Sequence, residues 1–127
     1  MVHGPAEKNH QFVVAPAALA AHLGEPEDGE RMKRRFRFAG DGELTAIFAS
    51  AGFSEIAEEL VVKTVTHDRG AKFWEGSLAR RLGARLDDMD AGERAAVDGA
   101  MEAAFAPFLQ GDTYELLSSE RIVRGTA

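Results

Sequence analysis

A chain of 127 residues is long enough for one domain with a single hydrophobic core. Its formal net charge of -6 opposes a nucleic-acid binder with a broad basic face, because phosphate contacts need clustered positive charge. The chain has no cysteine, which excludes disulfides and thiolate chemistry and is compatible with a reducing, cytoplasmic setting. It has no apolar run of membrane-spanning length and no leader-like N-terminus, so we expect an unprocessed, soluble protein.

The first part of the chain predicts loops and two helices. Residues 1–11 carry turn-forming residues and predict a loop. Helix formers follow a proline that suits a first helical turn, which predicts a short helix over Pro16–Leu23. Asp41 is a good N-cap for a second helix that runs to Ala51, with Gly52 as the residue after its C-terminus.

A basic segment between these two helices allows two interpretations. Residues 31–37 are rich in arginine, and Phe36 and Phe38 could stack on bases, which would suit nucleic-acid binding. The acidic residues just before this segment and the negative net charge oppose that interpretation. We therefore favour a surface connection in which the two rings anchor an extended piece to the core.

Two extended segments organise the second part of the chain. Alternating and β-branched residues predict strands over Glu55–Thr66 and Tyr114–Arg124, which we expect to pair as neighbours in one sheet. The middle of the first strand is apolar on both faces, which is typical of a strand covered on two sides. Two helices lie between the strands, over Gly70–Leu82 and Ala91–Phe108.

The same two helices carry recognisable N-terminal signals. Asp68 can cap the first of them, and Trp74 on its apolar stripe is more often a core or pocket-wall residue than a reacting group. Asp90 and Glu93 match a capping box at the start of the second. The apolar face of that second helix comprises Val97, Ala100, Met101, Ala104, Phe105 and Phe108.

The sequence contains no self-sufficient catalytic motif. The four histidines lack the spacing of a metal-binding helix face, and the serines lack a nucleophile-elbow setting. Adjacent carboxylates such as Glu58 and Glu59 are typical of solvated charge, and no strand runs into a glycine-rich phosphate loop. These residues predict no metal site and no nucleotide-binding loop.

The order of several short motifs nevertheless resembles one enzyme family. Residues 4–9 are Gly-Pro-Ala-Glu-Lys-Asn, and Phe-Arg-Phe and a helix that ends in Ala-Gly-Phe follow. The chain then carries Phe-Trp, a long helix and a closing Ile-Val strand. This succession resembles the C-terminal half of class I S-adenosylmethionine-dependent methyltransferases, especially those of ubiquinone and menaquinone biosynthesis. The resemblance covers nearly the whole chain.

That resemblance implies a fold and a role. It implies an α/β arrangement, α+β as an isolated piece, with helices packed on a small, mainly antiparallel sheet that corresponds to the C-terminal edge of a Rossmann-like methyltransferase sheet. The single domain, residues 1–127, would form the substrate side and lid of such an enzyme. The implied walls of the substrate pocket are Asn9, Phe12, Phe38, Phe73 and Trp74.

The resemblance also implies what this chain does not supply. The family's glycine-rich cofactor loop and first strands have no counterpart in these residues, so the chain alone would not bind S-adenosylmethionine. The final strand would lack one sheet neighbour, and its exposed edge would pair with a second copy or with a cofactor-binding partner chain. The alternatives are a small-ligand-binding module without catalysis and a purely structural dimerisation module.

Overall fold

The computed structural model describes residues 1–127 and has an α+β fold, with six helices packed with a four-stranded, mostly antiparallel open sheet. The strands are β1 (Val2–His3), β2 (Ser54–Asp68), β3 (Leu109–Gln110) and β4 (Thr113–Thr126). The helices are α1 (His10–Leu23), α2 (Gly29–Arg35), α3 (Glu43–Ser50), α4 (Glu75–Leu82), α5 (Ala84–Asp87) and α6 (Ala91–Phe105). None of these helices is both long and apolar enough to cross a membrane.

The sheet has the order β1-β4-β2, and β3 forms a short antiparallel pair with the start of β4. The predicted pairing of the two long strands as neighbours is confirmed. The expectation that the final strand lies at an open edge is wrong, because β1 pairs with β4 in antiparallel register on its other side. The sequence predicted a loop over residues 1–11 and therefore missed β1, which is only two residues long.

The chain divides into two compact units. The first unit consists of Met1–His10, Asp28–Thr64 and Leu117–Ala127, and the second consists of Gln11–Glu27 and Val65–Leu116. Each of the long strands β2 and β4 contributes residues to both units.

The second unit contains the main hydrophobic cluster. Its centre is formed by residues that are almost fully buried: Trp74, Leu78, Val97, Met101, Phe105 and Leu116. The predicted apolar face of α6 is confirmed at Val97, Met101 and Phe105, and Leu19 of α1 is also buried. Burial of side chains of this size contributes about 1.5 to 3 kcal/mol each, so this cluster dominates the stability of the second unit.

Helix boundaries agree with the sequence at some ends and differ at others. Asp90 caps α6 as predicted, and its side chain accepts from the Glu93 N–H at 2.8 Å. The helix predicted from Pro16 begins six residues earlier, so that Pro16 lies inside α1. A proline within a helix removes one hydrogen bond, and the burial of the surrounding apolar side chains offsets that loss. Asp68 ends β2 and does not cap α4, which begins only at Glu75.

Two further expectations about exposed segments are wrong. The basic segment is not extended, because α2 covers Gly29–Arg35 with Asp28 as its N-cap. The strand β2 is not covered on two sides, since Val61 and Val62 remain 38% and 40% exposed. Its half-buried positions are even-numbered up to Leu60 and odd-numbered from Val65, so the covered face changes along the strand. Apolar residues therefore lie on both faces, although only one face is covered at any point.

Candidate functional site

The edge of β4 that faces β1 is closed by an asparagine side chain. Val2 pairs with Arg121, and the Gly4 N–H donates to the Ser119 carbonyl at 3.1 Å. The next ladder bond would join the Ser119 N–H to the Gly4 carbonyl. Asn9 replaces it: its Oδ1 accepts from the Ser119 N–H at 3.0 Å, and its Nδ2 donates to the Gly4 carbonyl at 3.0 Å. The side chain therefore bridges the strands where they separate.

His10 is the second side chain that takes the place of a strand partner along this edge of β4. The N–H of Leu117 lies on the same edge of β4 as that of Ser119 and donates to Nδ1 of His10 at 3.0 Å. Nδ1 must carry a lone pair for this bond, which places the ring proton of the neutral imidazole on Nε2. Asn9 and His10 thus satisfy two backbone donors of β4 that no strand pairs.

A buried arginine forms the second polar cluster of the first unit. Arg121 is 4% exposed, and its Nε donates to the carbonyl of Ala39 at 3.0 Å. Its Nη1 donates to Glu58 at 3.3 Å, and its Nη2 lies 3.0 Å from the exposed carboxylate of Asp41. A buried guanidinium is stable only when its donors are satisfied, and this arrangement occupies each of its nitrogens.

Glu58 joins this cluster to the N-terminus of α3. Its carboxylate accepts from the Gly42 N–H at 2.9 Å and from both the N–H and the hydroxyl of Thr45 at 3.2 Å. The bond from Gly42 lowers the pKa of Glu58 most; burial opposes this, and Thr45 and Arg121 add to the lowering. The predicted cap, Asp41, makes no such bond. The expectation that Glu58 is solvated is also wrong, since its side chain is 11% exposed.

A basic cleft of about 440 Å³ lies beside β1. Its cationic lining comes from Arg34, Arg35 and Arg37, with His3 from β1 and one acidic side chain, Glu120. Burial and the nearby Arg35 lower the pKa of His3, and Glu120 opposes them. The cleft also contains the ring of Phe38 and residues Met1 and Val2. Its charge suits a small anion that also carries apolar surface.

The second unit contains a cluster of aromatic rings centred on Phe73. The rings of Trp74, Phe105 and Tyr114 meet it edge-on, with centroids 5.0, 4.8 and 5.3 Å away. His67 stacks on it at 4.4 Å with an angle of 10° between the planes. Nε2 of His67 is buried and has no hydrogen-bond partner. A buried polar atom without a hydrogen-bond partner lowers the stability of the folded protein, and this distinguishes His67 from the apolar residues around it.

Asp98 accepts a hydrogen bond from the Trp74 side chain of this cluster. It lies on α6 and is 7% exposed, and it accepts from Nε1 of Trp74 at 2.9 Å and from Nζ of Lys72 at 3.0 Å. Burial alone raises the pKa of Asp98, but the bonds from Trp74 and Lys72 and the charges of Lys72 and Arg94 outweigh it, so the pKa lies below its usual value. Asp98 is therefore a buried carboxylate with satisfied partners.

The predicted pocket walls fall in both units. In the first, Asn9 is 1% exposed with its amide engaged, and Phe38 lines the basic cleft with the Arg37 guanidinium 4.6 Å from its ring centre. In the second, Phe73 and Trp74 are in contact, and Phe12 is half-buried on α1. Trp74, at 1% exposure, is a core residue as expected. The assignment of all five as pocket walls stays a prediction.

The most constrained polar residues are ones for which the sequence analysis predicted no buried partners. Asp98 and Arg121 are buried, Glu58 is half-buried, and each makes at least two hydrogen bonds. For Asp98 a signal existed, because a carboxylate directly after Val97 on an apolar helix face predicts a partner. For Glu58 and Arg121 the partners come from distant parts of the chain, and no local pattern connects them. No group of three or more potential metal ligands is present.

Comparison with known proteins adds no family assignment: no family model matches this chain, and no curated protein matches it.

Proposed function

We propose that this chain is the substrate-side part of a class I S-adenosylmethionine-dependent methyltransferase, completed by a cofactor-binding part that these residues do not contain. The sheet order carries the proposal. The antiparallel strand β4 lies between the first strand, β1, and the penultimate long strand, β2. In the family that the sequence resembles, the last strand is likewise antiparallel and inserted beside the fifth strand, with the penultimate strand at the edge.

The connections support the same proposal. A segment with three helices leads from β1 to β2, and a second helical segment with three helices leads from β2 to β4. Helical segments of this kind form the lid over the substrate in the family. Phe73, the half-buried ring of the aromatic cluster, lies in the second of them and would supply apolar surface to a ring-containing methyl acceptor.

Within that cluster, His67 is the group that we assign to the acceptor. Its Nε2 is buried without a partner while its ring stacks on Phe73, so a hydroxyl or amine of an acceptor would satisfy it if acceptor binding displaces the side chains that cover it. The comparison of His67→Phe with His67→Gln separates ring packing from hydrogen bonding. Loss of acceptor binding in the phenylalanine variant and retention in the glutamine variant would support this role.

Cofactor titration tests the proposal itself. Calorimetry of this chain with S-adenosylmethionine should give no saturable binding, whereas the chain co-produced with the polypeptide encoded immediately upstream should bind the cofactor. Saturable one-to-one binding by the chain alone would contradict the division into halves. Absence of binding in both samples would contradict the assignment to methyltransferases.

A second candidate function, small-ligand binding without catalysis, is favoured by the basic cleft. Three arginines line it, and a carboxylate or phosphate is the ligand group that guanidinium side chains recognise best. Titration with benzoate and with inorganic phosphate, followed by amide shifts of Val2 and Phe38, tests this candidate. Shifts that disappear in Arg35→Ala would support it, and unchanged spectra would exclude it.

A further inference from the structure

The open edge of β2 carries a self-complementary pattern of side chains. In the strand order, β4 is the only long strand beside β2, so the other edge of β2 has no strand partner. Val61 and Val62 lie at the middle of this strand and are 38% and 40% exposed. Glu59 and Lys63 are exposed as well and lie two residues before and after Val61. A long exposed edge with central valines is a surface that proteins normally cover.

We propose that a second copy of this chain covers this edge, with two β2 strands pairing antiparallel about a two-fold axis at Val61. In this register Val61 lies opposite Val61 of the second copy, and Val62 lies opposite its Leu60. Glu59 lies opposite Lys63 of the second copy, and the symmetry produces the same ion pair twice. The register is set by charge and apolar contact together.

Registers with the axis at Leu60 or Val62 lose both Glu59–Lys63 pairs, and two other registers oppose like charges. An axis at Glu59 places two carboxylates opposite each other, and an axis at Lys63 places two ammonium groups opposite each other, both of which are destabilising in directly opposed pairs. The axis at Val61 is possible whether the backbone N–H and C=O of Val61 point toward the open edge or toward β4. In an antiparallel pair, a two-fold axis can pass through either a hydrogen-bonded or a non-hydrogen-bonded residue pair.

The proposal fits a weak, reversible dimer. A single strand pair buries less surface than the interfaces of permanent dimers, so we expect dissociation in the micromolar range or weaker. The association depends only on β2 and not on any cofactor. Failure of the cofactor titration and failure of this proposal are therefore separate results.

Charge reversal with rescue tests the register. In sedimentation equilibrium, Glu59→Lys and Lys63→Glu should each dimerise about tenfold more weakly than the unchanged chain, because each replaces two attractive pairs with two repulsive ones. An equal mixture of the two variants should form a heterodimer, since the lysine introduced at position 59 of one variant then faces the glutamate introduced at position 63 of the other. The control Lys33→Glu makes the same charge change on α2 and should leave association unchanged.

Three results would each overturn the proposal. A chain that stays monomeric up to near-millimolar concentration would overturn the proposal. So would a dimer that is indifferent to both reversals, or a mixture of the two variants that stays monomeric while the unchanged chain dimerises. Circular dichroism of each variant shows whether it is folded, and restored association in the mixture shows that both variants remain competent.

Discussion

Asn9 is the residue on which the joining of β1 to β4 most depends. Its amide supplies both halves of a ladder bond that the strands cannot make directly, and it also donates to the Ser119 hydroxyl at 2.7 Å. Replacing it with alanine leaves the Ser119 N–H and the Gly4 carbonyl without partners in a buried place. We expect Asn9→Ala to lower the free energy of unfolding by about 2 to 3 kcal/mol. Urea unfolding measures this, and Glu7→Ala, an exposed change nearby, should have almost no effect.

Gly4 is required for a different reason, the close approach of its backbone to β4. A Cβ at this position would meet the Ser119 side chain and come within 2.8 Å of Cδ1 of Leu60. We expect Gly4→Ala to destabilise the protein by about 1 to 3 kcal/mol through this overlap. Gly29→Ala is the matched control, since a Cβ there meets nothing within 4 Å. If Gly4→Ala unfolds at the same urea concentration as the unchanged chain, the close approach is wrong.

At the scale of elements, α3 depends on a cap that comes from β2. Glu58 accepts from the first turn of α3 and from Arg121, so Glu58→Gln should cost about 2 to 4 kcal/mol. Glu59→Gln is its control, because Glu59 is 62% exposed and lies 3.9 Å from Arg124. Thermal unfolding of both variants at neutral pH measures the difference.

The same cap should make stability depend on pH. Because the folded-state pKa of Glu58 lies below its ordinary value of 4.5, its contribution is fully present above that value and is lost as pH falls through the lower folded pKa. The difference in unfolding temperature between the unchanged chain and Glu58→Gln should therefore shrink on acidification below that value. A difference that is constant with pH would exclude an ionised cap.

Asp98 of α6 accepts hydrogen bonds from the side chains of Lys72 and Trp74, which lie just before α4. Asp98→Ala removes the acceptor of the Trp74 N–H and of Lys72, and we expect a loss of about 2 to 3 kcal/mol. Trp74 is the only tryptophan, so its fluorescence reports this site directly. Its emission maximum should shift in Asp98→Ala and stay unchanged in Glu102→Ala, an exposed change on the same helix. Equal spectra for the two variants would contradict a structural role for the bond.

These elements show what a sequence can and cannot supply. The N-cap at Asp90, the Gly52 stop and the buried positions Val97, Met101 and Phe105 of α6 follow from local patterns, and these were predicted correctly. The cap of α3 was not, because Glu58 lies 16 residues away from Gly42 and only the fold brings it there. The same applies to β1, which is too short to show a pattern and exists because β4 pairs with it.

At the scale of the whole molecule, both long strands contribute residues to both compact units. Unfolding of one unit removes the ladder from part of each long strand and leaves the backbone donors and acceptors of that part unpaired, so we expect the two units to unfold together. Glu58→Gln tests this, since Glu58 belongs to the first unit and Trp74 to the second. The urea midpoint reported by Trp74 fluorescence should fall in this variant as far as the midpoint reported by circular dichroism. If Trp74 keeps its original midpoint while circular dichroism acquires a second transition, the units unfold independently.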